Sequence, residues 1–176
     1  QHEKFSAAGP LEHCFAKLIH FIWVGSRPEP ASFRDEILPS WQEHHPAAAG
    51  YEIRIWTEAD LPGLSFLRNK AAILDTNLNP GLRADFLRLE LLHELGGVYA
   101  DVDMVCRANI FDSLSAHYRL AEVEAVYGVS HTDAFEINNG LIVAQKGASV
   151  LASLISALHT SFQSEMARLQ KEKQLI

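Results

Sequence analysis

Cysteine is scarce in this sequence of 176 residues, where Cys14 and Cys106 are the only two. Neither stands in a C-x-x-C pair or in a Cys/His spacing typical of zinc ligands, which argues against a cysteine-based metal site. The two could pair with each other, so the redox compartment stays open. Long apolar runs are also absent. No stretch approaches the roughly 18 residues that a membrane-spanning helix needs, so we expect no membrane span in this chain.

Positive charge is in short supply. Lysine and arginine number 15 against 22 aspartates and glutamates, which gives a formal net charge of −7. This balance argues against general attraction to nucleic-acid phosphates, and we expect no nucleic-acid partner. The sequence also lacks G-x-x-x-x-G-K-[ST], G-x-S-x-G and G-x-G-x-x-G. Their absence removes the common phosphate-loop and serine-hydrolase interpretations.

Histidine is present nine times, but no two histidines show a metal-ligand spacing. We therefore assign the histidines no catalytic role. His20 lies inside an apolar segment. It is predicted to be a buried histidine whose ring nitrogens are satisfied by hydrogen bonds to the backbone.

The composition, with 48% hydrophobic and 21% charged residues, is that of an ordinary globular protein. The length corresponds to about one domain. Residues 1–16 show no clear periodicity and are predicted to be an N-terminal extension, which leaves 17–176 as the folded domain.

Strand and helix signals alternate along the chain. Asn79 and Pro80 make a good helix start, and Gly96 and Gly97 make a good stop in left-handed geometry. Ser32 is the expected N-cap of an earlier helix. The predicted strands are 17–24, 51–56, 98–100, 104–106, 125–129 and 137–144, and the predicted helices are 32–45, 64–74, 80–95 and 148–173. This order predicts an α/β domain with a mainly parallel sheet, whose ligands lie beyond the carboxyl ends of the strands.

Asp101 and Asp103 flank Val102 directly after an apolar strand. Period-two alternation would place both carboxylates on one side of the chain, where they repel each other unless a cation or strong donors lie between them. Oxygen ligands of this kind suit Mg²⁺ or Mn²⁺, which are commonly held by one or two carboxylates and substrate phosphates. A solvated turn is the simpler alternative.

Asp85 and Arg88 are three residues apart in the helix that precedes this pair, so they share a helix face. That helix has apolar residues around most of its circumference, and its charged side chains therefore need partners. They could form a mutual ion pair that only ties the helix to the sheet, or they could bind a ligand.

The order A-D-x-x-R-x-x-x-L-x-x-x-G-G-x-Y-x-D-x-D runs here from Ala84 to Asp103. It resembles the sugar-binding region of glycosyltransferases that contain the D-x-D motif, glycosyltransferase family 32, which includes fungal mannosyltransferases. It is also similar to the glucosyltransferase domains of large clostridial toxins. I-H-F-I-W-V-G at 19–25 resembles the first strand of the same group, Y-E-I-R-I-W at 51–56 its second, and N-N-G at 138–140 a later segment.

The resemblance implies a GT-A fold, with a central, mostly parallel sheet and helices on both faces. It implies that Asp103 is the direct metal ligand, and that Asp101 contacts hydroxyls of the ribose or donor sugar and the waters of the metal. Asp85 and Arg88 would hydrogen-bond the donor sugar, with Asp101, Asp103 and Arg88 as the catalytic candidates. Trp23 would stack on the nucleobase, although a core aromatic at a strand end is its alternative.

Asn138 and Asn139 could approach the donor, with Asn139 the candidate for binding it, but a strand-initiating turn explains them nearly as well. The implied function is a metal-dependent, retaining transfer of a hexose from a UDP- or GDP-hexose, with Mn²⁺ or Mg²⁺, to a hydroxyl of a glycan, lipid or protein. Two alternatives stay open: a nucleotide-sugar-binding module without transfer, and a metal-dependent phosphohydrolase acting on a nucleotide diphosphate.

Family members usually continue beyond the long helix with a segment that closes over the donor and completes the metal shell. This sequence stops at Ile176 inside a helical pattern. We therefore expect the acceptor side of the site to be incomplete in this chain.

Overall fold

The computed structural model describes residues 15–131 and 135–173. Cys14, and with it the possible pairing with Cys106, lies outside the described residues. Phe15, the first described residue, is buried and packs against Phe111, with ring centroids 6.2 Å apart.

Five strands and five α-helices make up the described part of the chain. The strands are β1 (Leu18–Trp23), β2 (Glu52–Thr57), β3 (Gly97–Ala100), β4 (Ala125–His131) and β5 (Phe135–Ala144). The helices are α1 (Leu38–His44), α2 (Lys70–Leu74), α3 (Pro80–Leu95), α4 (Ile110–Ser115) and α5 (Ser149–Lys173), with a π-helical segment at Phe33–Ile37 leading into α1. Short 3₁₀ turns occur at Ala47–Ala49, Leu61–Gly63 and Leu120–Glu122. None of these helices is both long and apolar enough to cross a membrane.

The strands form one sheet in the order β2-β1-β3-β5-β4. β1 is parallel to both β2 and β3, whereas β5 is antiparallel to both β3 and β4. Four of the five described strands therefore run in the same direction and only β5 runs against them. This confirms the α/β fold class and the mostly parallel sheet.

Side chains alternate between two apolar layers, one on each face of the sheet. On one face Ile19 and Phe21 pack with Phe33 and Trp41, which come from the π-helical segment and α1. On the other face Ile22 joins the cluster formed by α3 and α5. Helices thus cover both faces, as expected.

Helix α3 has the predicted bounds. The side chain of Asn79 accepts a hydrogen bond from the backbone N–H of Gly81, Pro80 is the first helical residue, and Gly96 is the C-cap. Gly96 and Gly97 have φ values of +70° and +102°, as predicted for the left-handed exit. The helix lies over β1, β3 and β5 and contacts α5. It ends at Leu95, and β3 begins two residues later at Gly97.

Three local predictions were wrong. Ser32 is not an N-cap, because its φ of −56° and ψ of −32° are already helical and its side chain makes no capping bond. In the predicted helix 64–74 only Lys70–Leu74 is helical, because the Glu90 carboxylate of α3 binds the backbone N–H groups of Arg68 and Asn69.

The predicted strand 104–106 does not form either. Its backbone bonds to side chains of α1 instead of a neighbouring strand. The Met104 carbonyl accepts from the Trp41 indole at 2.7 Å, and the Cys106 N–H donates to the Ser40 hydroxyl at 2.9 Å.

Candidate active site

The site lies at the carboxyl ends of β1 and β3. These strands are parallel neighbours whose register pairs Ile19 with Val98 and His20 with Tyr99. Continuing this register places Trp23, the last residue of β1, level with the turn that follows β3. Such an edge is where ligands bind in open α/β sheets.

The two aspartates in the turn after β3 have different surroundings. The Met104 N–H donates to the Asp101 carbonyl at 3.1 Å, so residues 101–104 form a turn rather than a continuing strand. The expectation that strand alternation aligns the two carboxylates was therefore wrong. Asp101 is partly buried, whereas Asp103 is exposed. Among the described residues, no hydrogen bond or ion pair engages the Asp103 carboxylate.

Asp101 is held by two side chains. The Tyr99 hydroxyl donates to Asp101 Oδ1 at 2.5 Å, and Arg88 Nη1 lies 3.4 Å from the same oxygen. The Arg88 guanidinium also lies over the Tyr99 ring, 4.4 Å from its centroid. Burial raises the pKa of Tyr99 far above its usual value, so its hydroxyl remains protonated and can donate to the carboxylate.

Arg88, on α3, connects Asp101 to Asp85 on the same helix and to Asn139 on β5. Its Nη2 lies 2.8 Å from Asp85 Oδ1, and its Nη1 donates to the Asn139 carbonyl at 2.7 Å. The Asn139 side-chain amide in turn donates to Asp85 Oδ1 at 2.9 Å. Arg88 is buried, while 43% of the Asp85 side chain and 38% of the Asp101 side chain stay exposed. A buried guanidinium therefore holds two solvent-facing carboxylates.

Gly140 explains how β5 can approach the turn. Its carbonyl accepts the Asp101 N–H at 2.8 Å, and a Cβ at this position would lie 2.7 Å from Asp101 Oδ2. Any side chain would displace the carboxylate, so glycine permits the close contact. The Asn138 side chain accepts the Gly140 N–H at 2.6 Å, at the point in β5 where the pairing register with β4 shifts, so the predicted strand-initiating turn at Asn138 and Asn139 does not form.

Residues of α3 line two larger cavities. The first, which we call the Trp23 cavity, has a volume of about 450 Å³ and lies between the end of β1 and the start of α3. Its lining residues are Ile22, Trp23, Val24, Gly25, Ser26, Arg27, Asn79, Pro80, Gly81 and Ala84. Trp23 is partly buried, and its indole N–H donates to the Arg27 carbonyl at 2.8 Å. The volume is within the range of small-molecule sites.

The second cavity, of about 320 Å³, is lined by Asp85, Arg88 and Asn139 together with apolar residues of α3, α5 and the sheet. The structure thus brings Asp85, Arg88, Asp101 and Asn139 into one hydrogen-bonded cluster. Trp23 is not part of it and lines the neighbouring cavity.

The donor set around Asp103 fits a divalent cation that takes only part of its shell from the protein. In the described parts of the chain, no three His, Cys, Asp or Glu side chains are grouped so that they could hold a metal ion. Mg²⁺ and Mn²⁺ do not require such a group, since one or two carboxylates with substrate phosphates and water are sufficient. Asp103, whose carboxylate is exposed and has no side-chain partner within 15–131 and 135–173, is suited to that role.

His20 takes no part in this cluster. It is buried, with Nε2 2.9 Å from the Gly96 carbonyl and Nδ1 3.0 Å from the Trp56 indole nitrogen. Burial lowers its pKa to about 4. The ring is therefore neutral near pH 7. The predicted burial is confirmed, but only Nε2 bonds to the backbone, because the Trp56 side chain is the partner of Nδ1.

Three residues with roles at this edge were missed by the sequence analysis. Tyr99 supplies the hydrogen bond to Asp101. Arg83, buried in α3, pairs with Glu58 in the loop after β2 through two hydrogen bonds of 2.6 and 2.8 Å. These bonds lower the pKa of Glu58. Arg83 could have been noticed as a charged residue in a helix with little exposed surface, whereas Glu58 offered no local signal.

Comparison with known proteins relates half of the chain to a described family. Residues 34–121 match the family described as "Glycosyltransferase sugar-binding region containing DXD motif". A Legionella pneumophila protein, "Subversion of eukaryotic traffic protein A", is 28% identical over 171 residues, which cover 83% of this chain. This chain spans only 25% of that relative's length.

A solved structure titled "PaToxG Glycosyltransferase" superimposes with a TM-score of 0.54 at 16% identity, covering 86% of this chain and 62% of that one. This likeness supports the fold. The matched family region includes α3, Asp101 and Asp103 but excludes Trp23 and Asn139.

Proposed function

Because the chain belongs to the glycosyltransferase family whose sugar-binding region contains the DXD motif, we propose that it transfers a hexose from a UDP- or GDP-hexose to an acceptor hydroxyl, with retention of anomeric configuration. The observation that carries this proposal is the hydrogen-bonded cluster of Asp85, Arg88, Asp101 and Asn139 beside the exposed Asp103 carboxylate.

The cluster has the chemistry needed to bind a sugar. Asp85 and Asp101 expose carboxylate oxygens, which accept hydrogen bonds from hydroxyls, and Arg88 supplies only donors. Arg88 connects the two carboxylates from a buried position, and Asn139 braces Asp85 from β5. The geometry is preorganised, since these groups are already oriented before a ligand arrives.

Asp103 is proposed as the direct ligand of Mn²⁺ or Mg²⁺, and Asp101 as the residue that orients the waters of the ion and a donor hydroxyl. When bound, the ion supplies positive charge to the diphosphate. Asp101 is suited to orientation because Tyr99 and Arg88 hold one of its oxygens.

The base of the donor is proposed to occupy the Trp23 cavity. Trp23 lines this cavity with a partly buried indole, whose orientation is fixed by the hydrogen bond from its N–H to the Arg27 carbonyl. Stacking on an aromatic ring tolerates either uracil or guanine.

In the transfer itself, the residues around the sugar orient the anomeric carbon and hold the leaving diphosphate. No protein base is assigned. In a retaining reaction the departing phosphate oxygen lies on the same face as the incoming hydroxyl and can accept its proton. His20 is unsuited to the role of base, because it is buried and both of its ring nitrogens are engaged. Catalysis then depends on positioning and charge stabilisation.

A panel of nucleotide sugars tests this function. The protein is incubated with UDP- and GDP-hexoses, with Mn²⁺ or with excess chelator, and the products are separated. Metal-dependent release of free hexose, or labelling of an added acceptor, supports the transferase. Cleavage to a sugar phosphate would instead indicate a phosphohydrolase, and tight binding without turnover would indicate a donor-binding module. The Asp103→Asn variant serves as the matched inactive control.

A further inference from the structure

One wall of the Trp23 cavity is the loop after β1, which buries few apolar side chains. Residues 25–28 follow β1 and are mostly exposed. Within this loop the Arg27 carbonyl accepts the indole N–H of Trp23 at 2.8 Å. The position of the indole therefore depends on the position of the loop. A contact that holds the loop in place also determines the shape of the cavity.

A carboxylate outside the cavity holds that loop. Glu58, in the segment after β2, accepts the backbone N–H of Gly25 on Oε1 at 2.7 Å. The same Oε1 accepts from Arg83 Nη1 at 2.6 Å, and Oε2 accepts from Arg83 Nη2 at 2.8 Å. One side chain thus joins the loop after β1 to helix α3.

Arg83 is in turn buried, and all three nitrogens of its guanidinium donate hydrogen bonds. Only 2% of its side chain is exposed, and its Nε donates to the Ile73 carbonyl at the end of α2 at 2.8 Å. A guanidinium in this position is planar and forked, so it fixes the direction as well as the distance of its partner. Neither Arg83 nor Glu58 lines the Trp23 cavity. Their immediate neighbours do: Gly25, which is bonded to Glu58, and Ala84, which follows Arg83 in α3.

We infer that Glu58 and Arg83 are positioning residues for the nucleotide-binding half of the site: their ion pair, through Gly25, fixes the 25–28 loop and the Trp23 indole in the orientation that receives a nucleotide base. The inference rests on the proposed function. It assigns the pair to donor binding through the Trp23 cavity, which neither Asp85 nor Arg88 lines.

Glu58→Gln is the main test, because the amide preserves the volume but removes the charge and one of the two accepting oxygens. The side chain of Glu58 is 38% exposed, so the variant is expected to fold. Arg83→Lys is the second variant, since it keeps the charge and loses the fork. The matched control is Glu165→Gln, which removes an exposed pair with Arg168 on α5.

The first measurement needs no ligand. Acrylamide quenching of Trp23 emission is obtained as the difference between each protein and the same protein carrying Trp23→Phe. We expect the quenching constant to rise about twofold in Glu58→Gln and Arg83→Lys and to be unchanged in Glu165→Gln, because a released loop exposes the indole.

The second measurement is calorimetric titration with UDP-glucose and GDP-mannose in Mn²⁺, followed by turnover at saturating donor. For the donor that binds, we expect Kd and KM to rise at least about tenfold in Glu58→Gln while kcat stays within about threefold. Unchanged quenching and unchanged affinity in folded Glu58→Gln would overturn the inference, as would a loss confined to kcat. Failure of the wild-type protein to bind any donor would contradict the proposed function instead, and the quenching result would still decide the role of the pair.

Discussion

Asp101 and Asp103 differ in their surroundings and should respond differently to the same substitution. Asn is isosteric with Asp but lacks the charge that a cation or a sugar hydroxyl recognises. We expect Asp101→Asn and Asp103→Asn each to lower kcat by at least about a hundredfold. Only Asp101→Asn should also destabilise the fold, by about 1 kcal/mol, because Tyr99 and Arg88 lose a charged acceptor.

Donor turnover and urea unfolding at pH 7.5 separate the two effects. The prediction fails if Asp103→Asn turns over like the wild type, or if it lowers the free energy of unfolding as much as Asp101→Asn does.

His20 should make stability depend on pH in a defined window. Burial lowers its folded pKa from 6.5 to about 4. Between these values the unfolded chain binds a proton that the folded chain does not, so the free energy of unfolding falls as pH falls from 6.5 to 4. This contribution is complete above pH 6.5, and its loss amounts to about 3 kcal/mol over the whole window.

The measurement is urea unfolding from pH 7.5 to 4.5 for the wild type and His20→Gln. Glutamine can still donate to the Gly96 carbonyl and accept from Trp56, but it does not titrate in this range. We expect the difference between the two proteins to shrink as the pH falls. A constant difference across the window would show that His20 does not cause the pH dependence.

The junction between α3 and β3 is the most constrained connection around the site. Gly97 has φ +102°, and a Cβ there would lie 2.2 Å from the Leu18 carbonyl oxygen on β1. Because the obstacle is backbone, Gly97→Ala must displace β3 from β1 and with it the Asp101 turn. We expect a loss of more than about 3 kcal/mol of unfolding free energy, or failure to fold.

Two other glycines provide matched controls for this substitution. Gly147 has φ +77° but no atom within 4 Å of its Cβ position, so Gly147→Ala carries backbone strain alone, about 1 kcal/mol. Gly63 has open space and no positive φ, so Gly63→Ala should change stability by less than about 0.5 kcal/mol. Equal effects at all three positions in denaturant titrations would contradict the steric argument.

At the scale of the whole molecule, net charge bears on how the donor binds. The chain carries a formal charge of −7, and two of its carboxylates, Asp101 and Asp103, lie at the edge that would receive a diphosphate. A dianionic ligand should therefore bind poorly unless a cation neutralises part of this charge. We expect the donor and Mn²⁺ together to raise the Tm more than the sum of their separate effects.

A ligand that binds only the folded protein raises the free energy of unfolding by about 2.7 kcal/mol when its concentration is 100 times Kd. Thermal unfolding with donor, with Mn²⁺, with both, and with both plus chelator measures the coupling. An equal shift by the donor in excess chelator would show that binding does not depend on the metal.

The sequence by itself determined what depends on neighbouring residues. Asn79, Pro80 and Gly96 set the ends of α3, because capping and positive φ involve atoms within one turn of the chain. Apolar runs and alternation likewise located the five strands that the structure describes, although they also predicted a strand at 104–106 that does not form. The D-x-D motif after β3 identified the candidate site. Where local signals were overruled, as at 64–69, the cause was a distant side chain, Glu90.

Tertiary structure decided which distant groups meet. The bond from Arg88 to the Asn139 carbonyl spans 51 positions, and the bond from Gly25 to Glu58 spans 33. Such pairings follow from the strand order β2-β1-β3-β5-β4 and from the antiparallel direction of β5. The periodicity of a single strand records which of its faces is buried but carries no information about its neighbour. The partners of Arg88 and Glu58 are therefore set only when the sheet assembles and brings the carboxyl ends of β1, β2 and β3 beside the middle of β5.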